Sequence, residues 1–171
     1  VNPVSGLKKS LKVYYEAKNH FEESNFNTSL FISKYPNHIK DYISKIDKNV
    51  FDRIVIFGGD GTINEVVNGL KDSNNLQSFK IGIVPTGSGN SVAHDTDLLD
   101  VKAAIQKSIG SNIMKMDVNQ VDFDSFSRLS VSVLGWGMFS FGNIRAEKLR
   151  MLGPIRYDVA SIITLLEKKI H

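Results

Sequence analysis

The stretch from Phe51 to Leu70 limits what this chain can fold into more than any other. Ile54, Val55, Ile56 and Phe57 form a short, unbroken apolar run rich in β-branched residues, the pattern of a strand covered on both faces. Gly58-Gly59-Asp60-Gly61 follows as a tight turn with three glycines. Ile63, Val66, Val67 and Leu70 then recur at i, i+3, i+4 and i+7, which puts them on one face of a helix. Strand, glycine turn and amphipathic helix in that order predict an α/β protein with a sheet buried between helices.

A glycine turn between a buried strand and a helix N-terminus is a ready anion site. Glycine lets a ligand approach the backbone, and the first N–H groups of the helix face the anion. Asp60 sits in the middle of that turn. A carboxylate there either caps the helix, as Asp does well, or takes part in chemistry, or meets its anion through a cation. Thr62 and Glu65 also fit a capping box, so both readings stay open on spacing alone.

The rest of the chain repeats the theme. Val1-Asn-Pro-Val-Ser-Gly6 reads as a strand end and a turn, and residues 8–23 as an amphipathic helix. Thr28 to Ser33 reads as a short strand entering a helix with Ile39, Tyr42, Ile43 and Ile46 in helical spacing. Lys80 to Pro85 is a second buried strand, followed by a second small-residue turn, Thr86-Gly-Ser-Gly-Asn90. Asp100 to Ile109 is predicted as a short helix, Asn112–Asp122 and Ser127–Leu134 as two strands joined by a turn, and Pro154 to His171 as a helix with an apolar stripe. Two small-residue turns, each after a buried strand, fit the rule that ligands gather outside the carboxyl ends of parallel strands.

Several classes are excluded. The 171 residues suffice for one sizeable core. A net charge of +3 suits an anionic ligand or membrane surface and does not demand nucleic acid. There are no cysteines, so disulfides and thiolate metal sites are absent. The four histidines show no metal-ligand spacing, and no metal-ligating residue is assigned. His94-Asp95 lacks a nucleophile elbow and reads as structural. There is no Walker A lysine motif, so an ATP site here is not a P-loop. No apolar run reaches the length of a membrane span, and a cytosolic location is the default. The chain opens at Val1-Asn2-Pro3 without Met, so a piece of a longer protein is expected.

GGDGTINEVVNGL, residues 58–70, resembles the signature of the diacylglycerol kinase catalytic-domain family, which includes sphingosine and ceramide kinases. GGDG alone is shared with NAD kinases and phosphofructokinases. Further matches cover nearly all of the chain: the Asn2-Pro3-Val4-Ser5-Gly6 turn, Ser33 with Asn37-His38, the Gly87-Ser88-Gly89-Asn90 loop, and the Trp136–Gly153 stretch with Glu147, Lys148, Arg150 and the later Arg156.

The resemblance implies a three-layer, Rossmann-like nucleotide-binding domain over 1–111, of the NAD kinase and phosphofructokinase type. It further implies the first strands of a second, antiparallel, lipid-binding β domain over 112–171. It implies an ATP- and Mg²⁺-dependent lipid kinase that phosphorylates the hydroxyl of a sphingoid base, ceramide or diacylglycerol. Asp60 would be the general base. Asn2, Ser5, Gly6, Ser33, Gly58, Gly59, Gly61, Thr62, Glu65, Thr86, Gly87, Ser88, Gly89, Asn90, Arg150 and Arg156 would serve the nucleotide. The acidic pair of the family's later motif is Phe141 and Asn143 here, which leaves Asn143 to bond a lipid hydroxyl. The partners implied are a lipid substrate and a transient membrane surface, with no nucleic acid. The rivals are another GGDG kinase, such as an NAD kinase, and a nucleotide-binding regulatory domain without turnover.

Overall fold

The computed structural model describes residues 1–135 and 138–167. It divides into two compact units, one from Val1 to Ser132 and one from Val133 onward.

In the first unit, β1 (Arg53–Gly58) pairs in parallel with β2 (Lys80–Pro85), in register from Arg53 opposite Lys80 to Gly58 opposite Pro85. Two extended segments widen this sheet beyond β1. Asn2 N–H donates to Phe57 O at 3.0 Å, and Ser33 N–H to Val1 O at 3.0 Å. The Val1 amino group donates to Phe31 O at 2.8 Å. The order across the sheet is therefore 31–33, 1–2, β1, β2, with all four ending on one side. The expected strand at Thr28–Ser33 is thus an extended segment rather than a regular strand. Its ladder is with Val1 alone, too little for a continuous one.

Alternation along β1 explains the layers. Ile54 and Ile56 point to one face, into a cluster with Ile39 and Ile43 of α2 (His38–Ile43) and Ile63, Val66 and Leu70 of α3 (Asp60–Asp72). Val55 and Phe57 point to the other face. There they meet Tyr14, Ala17 and Phe21 of α1 (Ser10–Glu23) and Ile105 of α5 (Val101–Ile109). A strand apolar at every position needs both covers. Helix α4 (Ser91–Asp95) is a single short piece after β2.

Two helices differ at their ends from what periodicity predicts: α1 starts later, and α2 stops at Ile43, short of Ile46. α1 is preceded by a 3-10 turn, Ser5–Lys8, with positive φ at Gly6, Leu7 and Lys8. α2 begins at His38, after Pro36, which disfavours helix at the residue before it, and Asn37, which is left-handed at φ 66°.

The unit ends in an antiparallel ribbon of β3 (Asn119–Asp122) and β4 (Ser127–Ser130). The strands expected over 112–122 and 127–134 are shortened to these four-residue pieces. β4 stops because its other edge turns to α3. Val131 N–H donates to Asn64 Oδ1 at 3.1 Å, and Asn68 pairs with both Leu129 N–H (2.9 Å) and Leu129 O (2.8 Å). Lys71 Nζ donates to Ser127 O at 2.8 Å. Side chains at i, i+4 and i+7 of a helix thus stand in for a third strand and cover an edge that would otherwise be open.

The second unit holds α6 (Met138–Lys148), a 3-10 segment (Arg150–Ile155) broken at Gly153 with φ 59°, and α7 (Arg156–Leu166). α7 buries Arg156, Ala160 and Thr164, while Ile155, Ile162 and Leu166 stay exposed. Of the expected apolar stripe, Val159 and Ile163 are half-buried within this unit, and Ile170 lies outside the described residues. The short side chains Ala146 and Ala160 are buried where α6 and α7 meet. No helix among the described residues is long and apolar enough to cross a membrane.

Candidate functional site at the convergence of three turns

Parallel strands that end on one side bring their following loops together. The Asn2–Gly6 turn, the Gly58–Gly61 turn and the Thr86–Asn90 turn all leave the sheet there. Thr86 N–H donates to Gly58 O at 3.0 Å, which carries the β1–β2 ladder into the turns. The glycines are needed where turns touch. A Cβ on Gly87 would lie 2.5 Å from Gly59 Cα, and one on Gly6, at φ +51°, would lie 1.8 Å from Thr86 O. Gly61 differs: a Cβ there meets nothing within 4 Å, so the space above the first turn of α3 is open.

That open space faces backbone donors. The helix begins at Gly59, an extended residue with no side-chain cap. Thr62 N–H and Ile63 N–H both return to Gly59 O. Helix geometry then leaves the Asp60 and Gly61 N–H groups without an intrahelical acceptor. Together with the helix dipole, they suit an anion.

The polar side chains of the motif do something the sequence did not show. Asp60 caps α4 rather than its own helix. Its Oδ2 accepts from Ser91 N–H at 3.0 Å and Ser91 Oγ–H at 2.9 Å, and its Oδ1 accepts from Val92 N–H at 3.0 Å. The capping box does not form. Thr62 Oγ1 instead accepts from Asn2 Nδ2 at 3.0 Å, and Glu65 Oε2 accepts from Ile39 N–H at 3.1 Å, the first turn of α2.

The remaining candidates fall into place around this. Asn2 also folds its own turn, its Oδ1 accepting from Val4 N–H at 3.2 Å. Ser5 N–H donates to Asn2 O at 3.2 Å. Asn90, left-handed at φ 57°, closes its loop by pairing with both Gly87 N–H and Gly87 O at 2.9 Å. Thr86 Oγ1 shares a 2.7 Å hydrogen bond with the fully buried Ser10. Ser88 and Gly89 keep partly and fully exposed positions at the loop tip, and Ser33 is buried at the end of its segment. His94 and Asp95 form an exposed neighbouring pair at 3.2 Å.

Arg156 belongs to the second unit, where it is buried against Tyr157 (Nη2 to Oη 2.7 Å) and Glu147 (3.6 Å). Asn143 is exposed on α6. Trp136, Gly137 and the Arg150 side chain lie outside the described residues. Among the described residues, no group of three His, Cys, Asp or Glu could hold a metal ion.

Comparison with known proteins decides the family. A model of the diacylglycerol kinase catalytic domain matches residues 1–121. The chain belongs to the diacylglycerol kinase catalytic-domain family. It is 32% identical over 170 residues to a sphingosine kinase of Arabidopsis thaliana, covering 93% of this chain and 35% of that protein. It is 29% identical over 184 residues to the ceramide kinase of Homo sapiens, covering 97% of this chain and 34% of that protein. A putative lipid kinase of Streptococcus pneumoniae is 26% identical over 186 residues, covering 99% of this chain and 57% of that protein. The chain thus spans about a third of the length of the first two relatives.

Two residues that shape this site escaped the sequence reading, Ser10 and Ser91, and so did Asn64 and Asn68, which hold the ribbon. Asn64 and Asn68 left one signal. Asn is a poor mid-helix residue, and two of them four apart on a strongly amphipathic helix need a partner outside it.

Proposed function

We propose that this chain is the nucleotide-binding part of an ATP-dependent lipid kinase. The observation that carries the reading is the convergence of three small-residue turns on the open N-terminus of α3. They meet at the carboxyl ends of a parallel sheet covered on both faces. We read the sheet as Rossmann-like, since the segment order 31–33, 1–2, β1, β2 reverses direction between 1–2 and β1. Such a switch point is where nucleotides bind in folds of this type.

When bound, ATP with Mg²⁺ supplies the transferable phosphoryl group and the charge neutralisation that transfer needs. The backbone of Gly58–Gly61, with the dipole of α3, would hold phosphate oxygens. The Thr86–Asn90 loop, with Ser88 at its tip, would border the nucleoside side, and the Asn2–Gly6 turn, which touches it at Thr86, would lie near the phosphates. Asp60 accepts the proton of the attacking lipid hydroxyl through Oδ1, which carries one protein hydrogen bond and keeps a second lone pair. The family resemblance assigns Arg150 and Arg156 a cationic role toward the phosphates and Asn143 a hydrogen bond to the lipid hydroxyl. The relatives' names point to a sphingoid base or ceramide as acceptor class. Contact with the membrane that holds the lipid is transient.

A second reading, nucleotide binding without turnover, draws on the three hydrogen bonds that occupy Asp60. One assay separates the two. Transfer of labelled γ-phosphate from ATP·Mg²⁺ by the intact protein is measured with sphingosine, ceramide, diacylglycerol, NAD and no acceptor. Label in a lipid is expected. Label in NAD refutes the lipid reading, and ATP binding without label in any acceptor favours the regulatory one.

A further inference from the structure

Asp60, Thr62 and Glu65 lie within six residues, yet each bonds a different distant segment. Asp60 holds the first residues of α4, and with them the end of the Thr86–Asn90 turn. Thr62, only 3% exposed, holds the Asn2 side chain. Glu65 holds Ile39 at the start of α2, just after the loop that follows Ser33. All three acceptors face protein donors. The space beside Gly61 is open, with nothing within 4 Å of where a Cβ would stand.

We infer that Asp60, Thr62 and Glu65 are positioning residues: they clamp the three neighbouring loops to the start of α3, and the crevice holds its anionic ligand only while those loops are clamped. This deepens the kinase reading and rests on it for the identity of the ligand. It assigns Thr62 and Glu65 no direct contact with nucleotide or metal, and gives Asp60 a duty besides proton transfer.

Conservative variants separate a clamp from a ligand contact. Gln in place of Glu65 can still accept from Ile39 N–H through its amide oxygen, whereas Ala cannot. A carboxylate needed for metal-bound water would fail in both. Ser in place of Thr62 can still accept from Asn2, whereas Val cannot. The experiment uses the intact protein, with two readouts: amide exchange at Ile39, Ser91 and Val92 without ligand, and equilibrium affinity for ATP·Mg²⁺.

Glu65→Ala is expected to speed exchange at Ile39 and weaken ATP binding by about tenfold, the worth of one charge-assisted hydrogen bond. Glu65→Gln is expected to restore both. Asp60→Asn is expected to speed exchange at Ser91 and Val92. Equal loss of ATP affinity in Glu65→Gln and Glu65→Ala would overturn the inference, as would unchanged exchange at Ile39 in Glu65→Ala. If Glu65→Ala does not fold, the Gln variant and the Thr62→Ser and Thr62→Val pair decide. Should the unsubstituted protein bind no ATP, the kinase reading falls while the exchange readout still decides the clamps.

Discussion

Asp60→Asn would place an amide NH₂ among the Ser91 N–H, Ser91 Oγ–H and Val92 N–H groups, all of which now donate to the carboxylate. At least one donor would then face another donor. The variant should lose about 1–3 kcal/mol of stability in urea unfolding, besides any turnover. Unchanged stability would mean that the cap carries no weight. Gly61→Ala is expected to do the opposite. Its Cβ meets nothing, and Ala in a helix is favoured over Gly by roughly 0.5–1 kcal/mol. Stability should rise slightly, while ATP affinity falls because the methyl enters the space above the helix N-terminus. A variant that is both stabler and still fully able to bind would move the phosphates elsewhere. The sequence marked both residues as special, but not the partner of Asp60. Spacing rules see a cap within four residues, and Ser91 lies thirty-one residues away.

Among the elements, α3 does the most joining. Its apolar face enters the core, its first turns hold loops, and Asn64, Asn68 and Lys71 hold the edge of β4. Asn68→Ala would leave Leu129 N–H and Leu129 O buried without their partner. The expected cost is about 2–4 kcal/mol, read as a lower urea midpoint, with faster amide exchange at Leu129. A cost within error would show that the ribbon is held by its apolar contacts alone. Gly69 marks the closest approach of α2, since a Cβ there would lie 2.7 Å from Lys40 O. Gly69→Ala should therefore destabilise by about 1–3 kcal/mol, whereas helix propensity alone predicts a gain. The strand, turn and helix from Ile54 to Leu70 were legible because local periodicity encodes them. The shortened ribbon and the late start of α1 were not. The first depends on Asn68, 61 residues away from Leu129, and the second on the left-handed turn at Gly6, Leu7 and Lys8.

For the molecule as a whole, family membership came from motifs whose residues are local in sequence, and the domain match over residues 1–121 agrees with them. The motif order could be read directly. What it did not reveal is that most of the motif's polar side chains are bonded to other parts of the protein. This leaves backbone N–H groups and the tip of the Thr86–Asn90 loop to meet a ligand. The measurement that tests this most directly is amide-exchange mapping of the intact protein with and without saturating ATP·Mg²⁺. Protection is expected together at Asn2–Gly6, Gly58–Gly61 and Thr86–Asn90, and strongest at the Asp60 and Gly61 amides. Bound ATP with no protection at the glycine turn, or with protection confined to another part of the chain, would contradict the account.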